Sequence, residues 1–248
     1  MKKRVLIALA IGATLLAISG LAASASGPNW DVSGAWTGSS GLVGNLAYHF
    51  NMTLVQTDGI VTGSIAYTNA APLGTIQGYV EGDKFYFTRT DTNQNYWATC
   101  WPCTISADGT YFHGYGVDSP GRAVEWEAQG QATRLVMIDI KPGSDPNCFN
   151  SDSHGVIPLA ILGSADFDAS TVDPFTVFLD GAQVRVKGKS GNAGSLEDVN
   201  GDGFQDLVVQ ILDDGSYTFG DTTATLNGFT HDGVPIVGTD TICIRPPE

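Results

Sequence analysis

The stretch "EDVNGDGFQDL", residues 197–207, crowds four carboxylates, an Asn and two glycines into eleven positions. Its spacing is Asp198, Asn200, Asp202, Gly203, Asp206, or D-x-N-x-D-G-x-x-D. A calcium ion takes about six to eight oxygen ligands at roughly 2.3–2.6 Å. Alternate side chains at positions 1, 3 and 5 of a tight loop supply three. The backbone carbonyl of Phe204 and the carboxylate of Asp206 supply more. Glycine at position 6 permits the sharp turn between them. The expected metal set is therefore Asp198, Asn200, Asp202, Phe204 and Asp206, with Ca²⁺ as the cofactor. The bland alternative is a solvated Asp-Gly turn.

The loop departs from an EF-hand, which needs a bidentate Glu at position 12 and a following helix. This chain has Val209 there, inside the β-branched run "LVVQIL". Dockerin modules pair two such loops, and one is seen here. The arrangement is more similar to the strand-preceding calcium loops of integrin-type propeller blades, although no further blade repeats follow. Asp166, Asp168, Asp213, Asp214, Asp152 and His154 sit in other acidic clusters that could each donate one ligand to a second site. Asp213 or Asp214 is favoured among them, and each cluster also reads as a turn or strand-end signal.

Composition agrees with a hard-cation partner. The net charge is −14, from 12 basic and 26 acidic residues. Removing Lys2, Lys3 and Arg4 with a leader leaves nine basic residues against 26 acidic ones, a net −17. Such a surface repels phosphate backbones and anionic lipid, which excludes nucleic acid as an expected partner. An apolar fraction of 42% excludes disorder as a class.

Residues 1–25 read as a signal peptide. A basic start precedes an apolar run from Val5 to Ala23, and Ala23-Ser24-Ala25 offers small residues for cleavage. An uncleaved anchor is the rival reading, because the run approaches spanning length. Past the leader no run is long and apolar enough to cross a bilayer, so no membrane span is expected after cleavage. The expected location is secreted or extracellular, with the periplasm as the variant. Four cysteines in an exported chain are expected to form disulfides. Cys100 and Cys103 in "CWPC" close a four-residue turn within disulfide reach, and Pro102 at its third position is compatible with a cis peptide. Cys148 and Cys243, near the two ends of the second half, are expected to pair.

The elements that must position these groups are strands. From Asp31 to Ala132, apolar-polar alternation returns in short segments punctuated by glycine, with "TDG", "EGD", "ADG" and "SPG" at the turns. About eight such strands imply a meander barrel or sandwich over residues 29–132. The opening run, "VSGAWTGSSG … NMTLVQTDGIVTGSIAYT", weakly resembles the first hairpins of avidin-like and lipocalin-like barrels. A polar segment at Gln131 to Arg134 marks the junction of two domains. In the second half, "LVMIDI" and "VIPLAILG" read as strands buried on both faces, "TVFLDG" with "AQVRVKG" as a hairpin, and "DLVVQIL", "TATLNGF" and "DTICIRP" as further strands. The fold class is all-β: an N-terminal meander barrel or sandwich, then a C-terminal β-sandwich over residues 135–246.

The segments "IDIKPGSDPNCFN", "GVIPLAILGSADFDASTVDPFTV", "EDVNGDGFQDLVVQI" and "DGVPIVGTDTICI" together resemble a module of unassigned function found in exported bacterial and archaeal proteins. The resemblance covers nearly the whole second half and implies an extracellular β-sandwich with one calcium loop.

Glu125 and Glu127, two apart in "VEWEA", form a carboxylate pair of the kind that hydrolyses glycosides. On an exposed strand face such pairs are ordinarily solvated charge. No nucleophile elbow, zinc-binding His-Glu motif or phosphate loop occurs, so no enzyme activity is expected. His49 and His113 fall in strands where either could face a barrel interior. The aromatic-rich first half, with Trp30, Trp36, Tyr48, Tyr67, Tyr79, Tyr86, Tyr96, Trp97, Trp101, Tyr111 and Trp126, fits a barrel that holds one small ligand or is filled by its own side chains. The expected partner is a small molecule or a cell-surface or matrix ligand.

Overall fold

The computed structural model describes residues 27–68, 73–93, 95–150, 155–188 and 191–246. The signal-peptide reading lies outside the described residues, as do Asp152 and His154.

Strand alternation does what the sequence implies in the first half. Eight strands run in order: β2 (Gly34–Leu42), β3 (Asn45–Thr57), β4 (Ile60–Tyr67), β5 (Gly74–Glu81), β6 (Lys84–Asp91), β7 (Trp97–Ile105), β8 (Tyr111–Val117) and β9 (Ala123–Gln129). Each pairs antiparallel with the next, and β2 also pairs with β9, from Thr37↔Gln129 to Leu42↔Val124. The barrel is closed. Inward positions carry large side chains, including Trp36, Phe50, Phe85, Phe87, Phe112 and Trp126, all at most 1% exposed. Their ring centroids lie 5.0 Å (Trp36–Phe112), 5.1 Å (Phe87–Trp126) and 5.7 Å (Phe50–Trp126) apart, within the range where tilted and edge-to-face pairs attract. The middle of the barrel is therefore filled by its own side chains.

The "CWPC" segment lies inside β7 rather than at a turn between strands. Its Cys100–Cys103 disulfide is wholly buried, and Trp101–Pro102 is cis. Glycines on β8 make room for it. A Cβ at Gly114 would fall 2.2 Å from the Pro102 carbonyl and 2.8 Å from Cys100 Sγ.

A short strand, β1 (Trp30–Asp31), precedes the barrel and pairs with β10 (Thr133–Leu135) beyond it. Residues 130–134 are thus not a bare linker: Ala132 is wholly buried, its N–H donating to the Gly109 carbonyl. Asp83 Oδ1 accepts from Trp30 Nε1 at 3.0 Å and from Arg134 Nη1 at 3.3 Å. The Arg134 guanidinium lies over the Trp30 ring at 5.2 Å and over the Phe167 ring at 5.8 Å. This junction caps one end of the barrel.

The second half contains β11 (Ile138–Ile140), β12 (Cys148–Asn150), β13 (Val156–Ile161), β14 (Phe178–Leu179), β15 (Ala182–Gln183), β16 (Gly194–Glu197), β17 (Asp206–Leu212), β18 (Thr223–Phe229), β19 (Pro235–Thr241) and β20 (Cys243–Arg245). They form a six-stranded sheet (β1-β10-β19-β18-β14-β15), a four-stranded sheet (β11-β13-β17-β16) and a two-stranded ribbon (β12-β20). Ile138, Ile140, Leu159 and Ile161 from the four-stranded sheet share one core with Leu179, Leu226 and Ile236 from the six-stranded sheet. The run "LVMIDI", read as one strand buried on both faces, divides between β10 and β11. They lie in different sheets, and Met137 at the crossover is 73% exposed. The hairpin read at "TVFLDG" and "AQVRVKG" is present but short, as β14 and β15.

Cys148 and Cys243 are disulfide-bonded across the parallel β12–β20 pair, 95 residues apart in sequence. Chain-entropy reasoning assigns a cross-link closing a loop of that length about 4.7 kcal/mol, against about 2 kcal/mol for a four-residue loop. Urea unfolding of the full chain should therefore show a larger loss for the Cys148→Ser, Cys243→Ser pair than for Cys100→Ser, Cys103→Ser. Equal midpoints would contradict it.

Candidate functional site

The acidic loop connects β16 to β17 as a hairpin, whose last cross-strand pair is Glu197↔Asp206. Its side chains fold back onto its own amides. Asp198 Oδ1 accepts from Gly201 N (2.7 Å) and Asp202 N (3.2 Å), and Oδ2 accepts from Gly203 N (3.1 Å). Asn200 Oδ1 accepts from Asp202 N at 3.0 Å, and Asp202 Oδ1 accepts from Phe204 N at 2.9 Å. The turns need left-handed backbone at Gly201 (φ 76°) and Gly203 (φ 91°), where a Cβ would be strained.

Asp206 differs from the others. It opens β17, is wholly buried, and spends both oxygens on backbone amides: Gly163 N and Val199 N, each 2.8 Å away. Its first role is a staple holding the loop to the segment that follows β13. Among the described residues no three His, Cys, Asp or Glu side chains form a group placed to hold a metal. The donor chemistry still suits a hard cation, since every group is an oxygen and each carboxylate keeps at least one lone pair beyond its N–H partners. No ion pair among the described residues reaches Asp198, Asp202 or Asp206.

Among the other acidic residues that are described, Asp168, Asp213 and Asp214 each engage a nearby backbone amide. Asp168 caps the short 3₁₀ turn Ala169–Thr171, accepting from Ser170 N. Asp213 accepts from Gly215 N and Asp214 from Ser216 N. The Ser216 hydrogen bonds hold the Asp214 carboxyl below its usual range. The Asp166 carbonyl accepts from Arg134.

Glu125 and Glu127 stand on the outer face of β9, since Val124, Trp126 and Ala128 take the inner one. Glu125 accepts from Gly44 N at 3.0 Å and pairs with His113 Nε2 at 2.9 Å, and these partners lower its pKa. Glu127 accepts from the Tyr111 hydroxyl at 3.3 Å. His49 and His113 also face outward, not into the barrel, because Phe50 and Phe112 beside them fill the interior.

One constellation was not singled out in the sequence. The barrel end away from Trp30 holds a cavity of about 280 Å³ whose lining includes Ser40, Tyr48, Tyr67, Arg89, Asp91 and Trp126. Arg89 is 5% exposed and pairs with Asp91, 6% exposed. Its guanidinium lies between the Tyr67 ring (4.7 Å) and the Tyr96 ring (5.2 Å). Burial pushes the Asp91 carboxyl above its ordinary value, against the pull of Arg89. Beside them Asp118, wholly buried, accepts from the Tyr96 hydroxyl at 3.2 Å and from Arg122 Nε at 2.8 Å. Burial pushes Asp118 upward, but the Arg122 hydrogen bonds outweigh it and hold the carboxyl below its usual range. The signal was legible in "KFYFTRTD". With a period of two, the residues sharing a face with Phe85 and Phe87 are Arg89 and Asp91.

No protein-family model matches the chain, and no curated protein does. Among solved structures, the chain is similar to one described as giving structural insight into host cell surface retention of a 1.5-MDa bacterial ice-binding adhesin. The identity is 14%, 88% of each chain is covered and the TM-score is 0.27. At that level the likeness carries nothing about function.

Proposed function

We propose that this chain is an exported, non-catalytic β protein that acts as an extracellular binding or structural module, with one calcium ion stabilising its second half. The observation that carries the calcium reading is the charge at the β16–β17 hairpin. Asp198, Asp202 and Asp206 lie within nine residues, and no cationic side chain among the described residues pairs with them. Folding holds these like charges together, and a divalent cation relieves the repulsion. Asp198, Asn200, Asp202, the Phe204 carbonyl and Asp206 would hold it.

Export is supported by the two disulfides, which persist in oxidising compartments. No helix among the described residues is long and apolar enough to cross a membrane. A glycosidase role draws no support from Glu125 and Glu127, whose carboxylates engage neighbours on the outer barrel face. A second reading, a small-molecule-binding barrel, is favoured by the buried Arg89 at the mouth.

Thermal unfolding of the full chain in calcium, magnesium and chelator tests the calcium reading. Native-state binding adds RT ln(1 + [L]/Kd), about 2.7 kcal/mol at a hundredfold excess over Kd. Extracellular modules bind calcium at about 10⁻⁴–10⁻³ M, so millimolar calcium should raise Tm. Magnesium, which dehydrates reluctantly, should raise it far less. Asp202→Ala should lose the response. An unchanged Tm, or an Asp202→Ala protein that responds like the parent, refutes the reading.

Asp206 is expected to behave differently. Asp206→Ala strands the buried Gly163 amide, at about 1–3 kcal/mol for a buried group left unsatisfied, and the half-buried Val199 amide at a smaller cost. That loss should persist in chelator, whereas Asp202→Ala should change little there. A variant Asp206→Ala as stable as the parent in chelator would show that the staple is not needed.

A further inference from the structure

We infer that the open mouth of the barrel binds a neutral, polyhydroxylated ring of single-sugar size. This deepens the binding half of the function proposed above and does not depend on whether the acidic loop takes calcium.

The first ground is a donor with nothing to donate to. Arg89 lines the cavity, and its Nε and the neighbouring Asp91 Oδ1 are both buried with no hydrogen-bond partner among the described residues. Arg89 is 5% exposed, so bulk water does not satisfy that N–H, and a buried unpaired donor favours any guest that brings an acceptor to it.

The second ground is charge. The mouth holds two cations and two anions, already matched as Arg89 with Asp91 and Arg122 with Asp118. A charged guest would draw one partner away and leave the other buried and uncompensated, which is strongly unfavourable. A neutral guest leaves both pairs intact. The common neutral group that both donates and accepts is a hydroxyl. Beside this pair it accepts from the Arg89 guanidinium and donates to the Asp91 carboxylate. A second hydroxyl meets the Ser40 Oγ and Tyr67 Oη pair, 3.0 Å apart, where either atom can be the donor.

The third ground is shape. A cavity of about 280 Å³ lies at the small end of ligand sites, which run from about 300 to 1,000 Å³. Trp126, 1% exposed, and Ala98, 2% exposed, floor it and keep a guest from the filled interior. Tyr48, 51% exposed, stands at the rim edge-on to Tyr67. An aromatic ring there packs against the C–H face of a pyranose while the hydroxyls point inward.

The test is titration of the full chain with glucose, galactose, mannose and N-acetylglucosamine, each in calcium and in chelator. Glucuronate and butyrate serve as charged counterparts. The readouts are the Arg89 Nε–H resonance and tryptophan fluorescence. At least one neutral sugar should saturate in the millimolar range, move the Arg89 Nε–H signal, and bind equally with chelator present. Arg89→Gln breaks a buried pair and threatens the fold, so the decisive variant is Tyr48→Ala. It should keep the parent Tm and weaken that sugar roughly tenfold, about 1.4 kcal/mol. The proposal fails if no neutral sugar moves the Arg89 Nε–H signal, if the carboxylates bind more tightly than their neutral counterparts, or if Tyr48→Ala binds as the parent does. A calcium-dependent Tm without sugar binding overturns only this site; sugar binding without a calcium response overturns only the calcium reading.

Discussion

Closure of β2 onto β9 is the constraint on which the rest of the barrel depends. Eight strands enclose an interior just wide enough for side chains, so the inward residues must fill a fixed volume. Rings from Trp36, Phe50, Phe87, Phe112 and Trp126 do that through the middle. Filling changes character at one end, where the inward face of β6 passes from Phe85 and Phe87 to Arg89 and Asp91. Burying an ion pair is weak as a stabiliser, since desolvation offsets much of the attraction. A charged layer at the top of an otherwise apolar core therefore adds little to stability.

Closure also decides which end can be open. At the other end Trp30, Val32 and Ala132 complete the core, and the Trp30–Asp83–Arg134 contact ties the barrel to the six-stranded sheet through β1 and β10. Among the described residues, the cavity at the mouth is lined from the β2–β3, β6–β7 and β8–β9 connections, which lie at the opposite ends of those strands. One end is an attachment and the other carries the cavity.

In the sandwich, the acidic hairpin is organised before any ion is considered. Asp198, Asn200 and Asp202 each turn onto backbone amides two to five residues ahead. Asp206 carries that local order into the fold by bridging Val199 to Gly163. The loop's negative charge is thus held by covalent proximity and by a buried staple, and it cannot disperse when the protein folds.

The sequence by itself determined the all-β class, the eight alternating strands of the first half, and the glycine-bearing acidic turn before "LVVQIL". Each of these is written in period and spacing over a few residues, and local backbone physics reads it directly. It also carried the outward direction of Glu125 and Glu127, because Trp126 between them had to face the core. Tertiary structure alone decided what depends on distant partners. The run "LVMIDI" is continuous in apolar character, yet it is cut between two sheets because Trp30 claims Arg134 on one side and Ile161 claims Ile138 on the other. His49 and His113 were legible as strand residues, but their face followed from which neighbours filled the closed barrel. Asp206 reads as a ninth-position ligand in the motif; only the approach of Gly163, forty-three residues earlier in the chain, shows it to be a staple. The alternation of "KFYFTRTD" places Arg89 and Asp91 inside, but the paired charges, the unpartnered Nε and the room above them exist only once Tyr67, Tyr96 and Asp118 arrive from other strands and loops. A donor's lack of a partner is a property of the assembled neighbourhood, and no local pattern encodes it.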